Sequence, residues 1–117
     1  MRLAGALGLL AQYAAWRATG LNAAGRGVVH ALGSADPTVR TMAGTLLARS
    51  GSLAEPLLEE ALAARESLPI VVTLLADIGD EKCRPALDEL TRDPDAAVAG
   101  AARQALRVLD AHRTRDR

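Results

Sequence analysis

Few residues in this chain are of a type and spacing that could do covalent chemistry. The one cysteine, Cys83, excludes an intramolecular disulfide and any multi-cysteine metal site. It falls at the start of a helix, where a thiolate can be favoured, but a lone cysteine there more often serves as a small packing residue, and that role is expected. The two histidines, His30 and His112, lie far apart, and neither has an acidic or histidine partner at helical spacing. Adjacent acids at Glu59-Glu60, Asp80-Glu81 and Asp88-Glu89 point to different sides of a helix, so they read as a solvated face and not as a general acid–base pair. The glycine-rich stretch Gly20–Gly27 (GLNAAGRG) lacks the Lys-Ser/Thr of a phosphate loop and follows no strand. The serines fall at helix starts without a nearby histidine. No enzyme activity and no cofactor are expected.

Arginine and tyrosine are the remaining candidates, and their role is recognition. The chain has 117 residues and a formal net charge of zero, which argues against a general nucleic-acid binder. The zero hides an uneven distribution. Residues 1–50 carry five arginines against Asp36 alone, and residues 101–117 carry five against Asp110 and Asp116. Between them, residues 51–100 carry eleven acids against Arg65, Lys82, Arg84 and Arg92. Lys82 is the sole lysine, and with the richness in alanine this suits a GC-rich bacterial source.

The elements that must position these residues follow from composition and spacing. Half of the chain is hydrophobic, mostly Ala and Leu, with no Phe, one Trp (Trp16) and one Tyr (Tyr13). Both common types are strong helix formers, and nowhere do β-branched residues alternate over a strand's length. The phrase Leu68–Leu90 (LPIVVTLLADIGDEKCRPALDEL) reads as a helix ending at Gly79, a turn through Asp80 and Glu81, and a helix with Pro85 in its first turn. It recurs upstream at Leu47–Leu62, where Gly51 answers Gly79 and Pro56 answers Pro85, and more loosely around Gly20. A recurrence at about thirty residues means helical hairpins that bury their apolar faces by stacking.

Seven helices are predicted. The first, Arg2–Ala18, has Leu3, Leu7, Leu10 and Ala14 at helical spacing, an expected inward stripe. Its apolar run is far shorter than the roughly 20 residues of a membrane span. Arg2 followed by a short apolar run leaves an export or anchor segment over residues 1–18 as an alternative to a repeat helix. The second, about Ala23–Leu32, is capped by Asn22. The third, Pro37–Ser50, starts at Asp36-Pro37 and buries Val39, Met42, Ala43, Leu46 and Leu47, with Gly51 after it in the left-handed region. Ser52 with Glu55 forms a capping box for the fourth. Ser67 caps the fifth, whose Ile70, Val71, Leu74, Leu75 and Ile78 make it the most apolar. Asp80 caps the sixth, and Asp93-Pro94 repeats the Asp36-Pro37 device before the seventh, Asp95–Ala111. Residues 1–111 are expected to form one domain, with His112–Arg117 a fraying polar tail.

Aligning the repeats puts Tyr13, Gly44, Val72 and Arg103 in one row of the second helices. Arg17, Ala48, Ala76 and Arg107 form the next, and Arg40, Leu68 and Ala99 another. The rows are apolar at the centre with arginines at the ends, and Tyr and Arg are enriched at binding hot spots. Tyr13, Arg17, Arg40, Val72, Arg103 and Arg107 are therefore the expected partner-binding residues.

The phrase Asp36-Pro37-Thr38-Val39-Arg40, followed by Ala43 and Leu46-Leu47, resembles the second helix of a HEAT repeat. So does Leu75–Glu81 with Pro85-Ala86-Leu87, in the short HEAT-like form also seen in phycobilisome lyases. The resemblance covers about residues 20–109. It departs at Leu68 and at Val98-Ala99, where the family's Val-Arg pair is lost. It implies an all-α, right-handed α-solenoid of about three and a half hairpins, an armadillo-type superhelix whose concave face holds a partner. HEAT-like enzymes such as deoxyhypusine hydroxylase hold iron with His-Glu pairs, which this chain lacks. The expected function is thus a non-catalytic, cytoplasmic scaffold for an acidic protein partner, with no nucleic acid and no membrane. An accessory factor of an enzyme or a lyase-like protein is the alternative.

Overall fold

The computed structural model describes residues 3–115. Arg2 and the chain's last two residues, Asp116 and Arg117, lie outside the described residues. All regular structure among the described residues is helical, in seven α-helices joined by short turns. The chain divides into two compact units, residues 1–57 and 58–117.

In the first unit, α1 (Leu3–Thr19), α2 (Asn22–His30) and α3 (Pro37–Ser50) pack on one another. Their core is Leu9, Trp16, Val28, Val29, Leu32, Val39, Ala43 and Leu47. Trp16 is the largest piece of it and stands edge-on to Tyr13, with ring centroids 6.2 Å apart. Gly25 in α2 makes this possible: a Cβ there would lie 2.9 Å from Trp16 Nε1 and would overlap Leu57 Cδ1. Leu7, Leu10 and Ala14 of the expected stripe of α1 face the other way, and the side chain of Leu3 lies outside the described residues. Leu7 is 63% exposed, Leu10 42%, and Ala14 is also exposed, whereas Ala6, Leu9 and Trp16 are buried. Both readings have helical spacing, and Trp16, the heaviest apolar residue, decides which face turns inward.

In the second unit, α5 (Leu68–Ile78) packs on α7 (Ala96–Arg115), and α6 (Arg84–Leu90) packs on α7 as well. The helix α4 (Glu55–Ala63) straddles the division between the units. Expected to be the most apolar helix, α5 is also the most buried: Val71 and Leu75, expected inside, have no exposed surface, and neither has Val72. Ile70, expected inside, is 39% exposed.

The helix ends show where local signals hold. Asp36 caps α3, its Oδ1 accepting from Thr38 N at 2.9 Å with Pro37 at the first helical position. Gly79 ends α5 with φ +88°, Asp80 N donating to Leu75 O and Gly79 N to Ala76 O, which is the Schellman arrangement. Gly51 takes a positive φ of 55° but ψ −131°, outside the left-handed helical region. A 3-10 turn over Gly51–Leu53 follows it, so α4 begins at Glu55 and not at Ser52.

Other starts differ from expectation. The cap position of α2 is Leu21, not Asn22. Ser67 has φ +47° and makes no side-chain cap bond to α5. The start of α7 is set by Asp95, whose Oδ1 accepts from Ala97 N at 2.9 Å, while Asp93 Oδ2 accepts from Asp95 N at 3.0 Å. The helix also continues through His112 to Arg115, where a frayed tail was expected.

Candidate functional site

The six expected contact residues divide between the units. Tyr13, Arg17 and Arg40 belong to the first; Val72, Arg103 and Arg107 to the second.

On α1, Tyr13 and Arg17 stand one turn apart. Arg17 Nη1 donates to Tyr13 Oη at 3.2 Å and to Ser50 Oγ at 3.4 Å, and its guanidinium lies 5.8 Å from the tyrosine ring centroid. Arg40 is half-buried, and its Nη1 donates to Ser34 O at 2.6 Å. That bond fastens the turn before α3, so Arg40 has a structural duty. Val72 is a correction of another kind. It has no exposed surface and cannot touch a partner, because its side of α5 belongs to the core.

Arg103 and Arg107 sit one turn apart on α7 and are exposed, opposite the buried Val98, Ala102, Ala105 and Leu109. Arg103 Nη1 donates to Thr91 O at 3.3 Å, and Arg107 donates to Gln104 Oε1 from Nη2 at 2.7 Å and from Nε at 3.2 Å. Each guanidinium carries five N–H donors, so both are oriented with donors left over for a carboxylate.

A second feature was not visible in the sequence. Between α4 and the 3-10 turn Glu81–Cys83 with α6 lies an open groove of about 570 Å³. Leu62, Ala63, Ala86 and Leu90 form its apolar walls, and Glu59, Arg65, Lys82 and Glu89 its charged ones. At its side Asp80 is buried, only 2% exposed. Its Oδ1 caps the 3-10 turn by accepting from Lys82 N at 2.9 Å, while its Oδ2 has no hydrogen-bond partner.

The Glu59 carboxyl holds its proton above the usual carboxylate range. The chief cause is the Asp80 carboxyl beside it, an acceptor that favours the protonated form, with burial and the charge of Asp80 adding. Lys82 Nζ, 3.5 Å from Glu59 Oε2, pulls the other way. Asp80, expected to cap α6, caps the 3-10 turn before it, and the N-cap position of α6 is Cys83. The nearness of Asp80 to Glu59 joins residues far apart in the chain and left no local signal.

Cys83 is buried, and its Sγ donates to Asp80 O at 2.9 Å. Burial, then the charge of Asp80, pushes the thiol up to about 12, the opposite of an activated nucleophile. Glu81 binds two guanidiniums. Arg84 Nε reaches Glu81 Oε2 at 2.8 Å and Arg84 Nη1 reaches Asp110 Oδ1 at 3.0 Å, while Arg113 Nε lies 3.2 Å from Glu81 Oε1. The hydrogen bond from Arg84 is the main reason that Glu81 ionises below its usual range. Among the described residues, no group of three or more His, Cys, Asp and Glu side chains is placed to hold a metal ion. No helix of the described residues is long and apolar enough to cross a membrane.

Comparison of the chain with protein-family models, with curated proteins and with solved structures gives no match.

Proposed function

We propose that the chain is a non-catalytic interaction module, a short HEAT-like α-solenoid that holds a protein partner through acidic groups of that partner. The observation that carries this reading is the arginine pair on α7. Arg103 and Arg107 are exposed, one turn apart and pre-oriented by Thr91 O and Gln104 Oε1. Orientation before contact lowers the side-chain entropy lost on binding. Arg17, held against the Tyr13 ring, offers the first unit a second cation of the same kind. The solenoid reading is supported by the recurrence of one phrase around Gly20, Gly51 and Gly79, each with a positive φ at or just after the end of a helix.

The experiment is capture of proteins from an extract of the chain's own host, run beside a thermal-shift screen of small metabolites. A protein retained stoichiometrically, and released as salt rises, is the expected result. A metabolite that raises the melting temperature with no protein retained would replace this reading with a ligand-binding one.

A further inference from the structure

The outward face of α1 is apolar where that of α3 is polar. Leu7 is 63% exposed and Leu10 42%. In the repeat alignment these two take the places of Thr38 and Thr41 of α3. Beside the leucines runs a row of small exposed residues, Gly8, Ala11 and Ala15, and a Cβ built at Gly8 would meet nothing within 4 Å. The described part of α1 contains no acid, and its only charge is Arg17, in the last turn. A protruding row next to a shallow row is self-complementary: a twofold axis brings each row onto the other, as an isologous contact requires.

We infer that α1 is a homodimerisation helix, two copies packing antiparallel about a twofold axis near Ala11 with the leucines of each seated over the small residues of the other. Charge and size both fit a second copy. The two Arg17 side chains fall at opposite ends, about 18 Å apart along the axis at 1.5 Å per residue, beyond the screening length at physiological salt. Small residues at the crossing permit an axis separation near the short end of the usual 8–10 Å. A helix of 17 residues is about 25 Å long, and a pair along that length buries on the order of 1,000 Å² in total, the low end for a specific interface. A dimer with an interface of that size is concentration-dependent. An amphipathic membrane-surface helix would carry a strongly charged opposite face, which α1 lacks because its other side is the Trp16 core.

The test is sedimentation velocity of the full chain from about 1 to 500 μM. The mean mass is expected to climb from 12.2 kDa towards twice that value. Leu7→Glu with Leu10→Glu should hold it at the monomer with an unchanged helical circular dichroism spectrum. Ala11→Arg and Ala11→Glu should each be monomeric alone, and mixing the two should restore the dimer, because the twofold axis sets position 11 against itself. A chain monomeric at every concentration would overturn the inference. So would association that survives the leucine substitutions, or no recovery on mixing. A monomer that co-sediments with phosphatidylglycerol vesicles through Leu7 and Leu10 would assign the face to a lipid surface instead.

Discussion

At the residue scale, the Glu59–Asp80 pair dominates the chemistry of the second unit. Asp80 beside it and partial burial raise the pH at which Glu59, at the groove, ionises. The folded chain thus binds the Glu59 proton more firmly than the unfolded chain, whose glutamates titrate near the ordinary 4.5. Its contribution is complete below 4.5 and fades as pH rises through the raised value. Glu81 and Asp93 act in the opposite sense. Their arginine partners, Arg84 and Arg65, hold them ionised, so their contribution is lost as pH falls. Glu59→Gln keeps a donor for Asp80 and removes the titration. In urea unfolding, the variant should gain on the wild type as pH rises from 4.5 through the raised value. A difference that stays constant with pH would mean that folding does not raise the pH at which Glu59 ionises.

At the scale of the element, the sequence was most legible where a helix end depends on one residue's own chemistry. Asp36-Pro37 and Gly79 act as read, because a carboxylate beside a proline and a glycine after an apolar run have few other uses. Reading failed where two neighbours compete. Asp93 and Asp95 both can cap, and the structure uses the second for α7 while the first pairs with Arg65 at 2.8 Å.

The end of α4 had no glycine to announce it. Arg65 there takes φ +58°, with Glu66 N donating to Ala61 O and Arg65 N to Leu62 O. This is a Schellman end built without glycine, at a cost of roughly 1–2 kcal/mol for a residue with a Cβ. Arg65→Gly and Arg65→Ala both lose the exposed ion pair to Asp93, so their difference isolates the backbone. The glycine variant should be more stable by about 1 kcal/mol in chemical denaturation. Equal stabilities would remove the strain from the account.

For the molecule as a whole, the seven α-helices among the described residues follow from Ala and Leu at helical spacing and from the repeated glycines. What spacing could not decide was which of two apolar stripes on α1 turns inward, since Leu7 and Leu10 compete with Leu9 and Trp16. In α5 there was no such competition, and Leu75 is fully buried. Leu75→Ala should cost about 2–5 kcal/mol, a large part of the usual 5–15 kcal/mol of a domain. A midpoint shift worth less than about 1 kcal/mol would place the core elsewhere.

The residues of the expected contact rows differ in exposure. Arg17, Arg103 and Arg107 are exposed, while Arg40 is tied to Ser34 O and Val72 is enclosed, because a repeat alignment gives register along the helices but not depth.

The measurement that bears most directly on the central claim is the affinity of the captured partner for the wild-type chain and for Arg103→Glu with Arg107→Glu. Both positions are exposed, and such substitutions usually change stability by less than about 0.5 kcal/mol, so the fold serves as its own control. Losing one charge-assisted contact at a buried interface typically costs 2 kcal/mol or more, so the double variant should bind at least ~30-fold more weakly. The salt dependence should shrink with it. Unchanged affinity, with binding lost instead on Glu59→Lys and Glu60→Lys, would contradict the account and move the partner to the acidic face of α4.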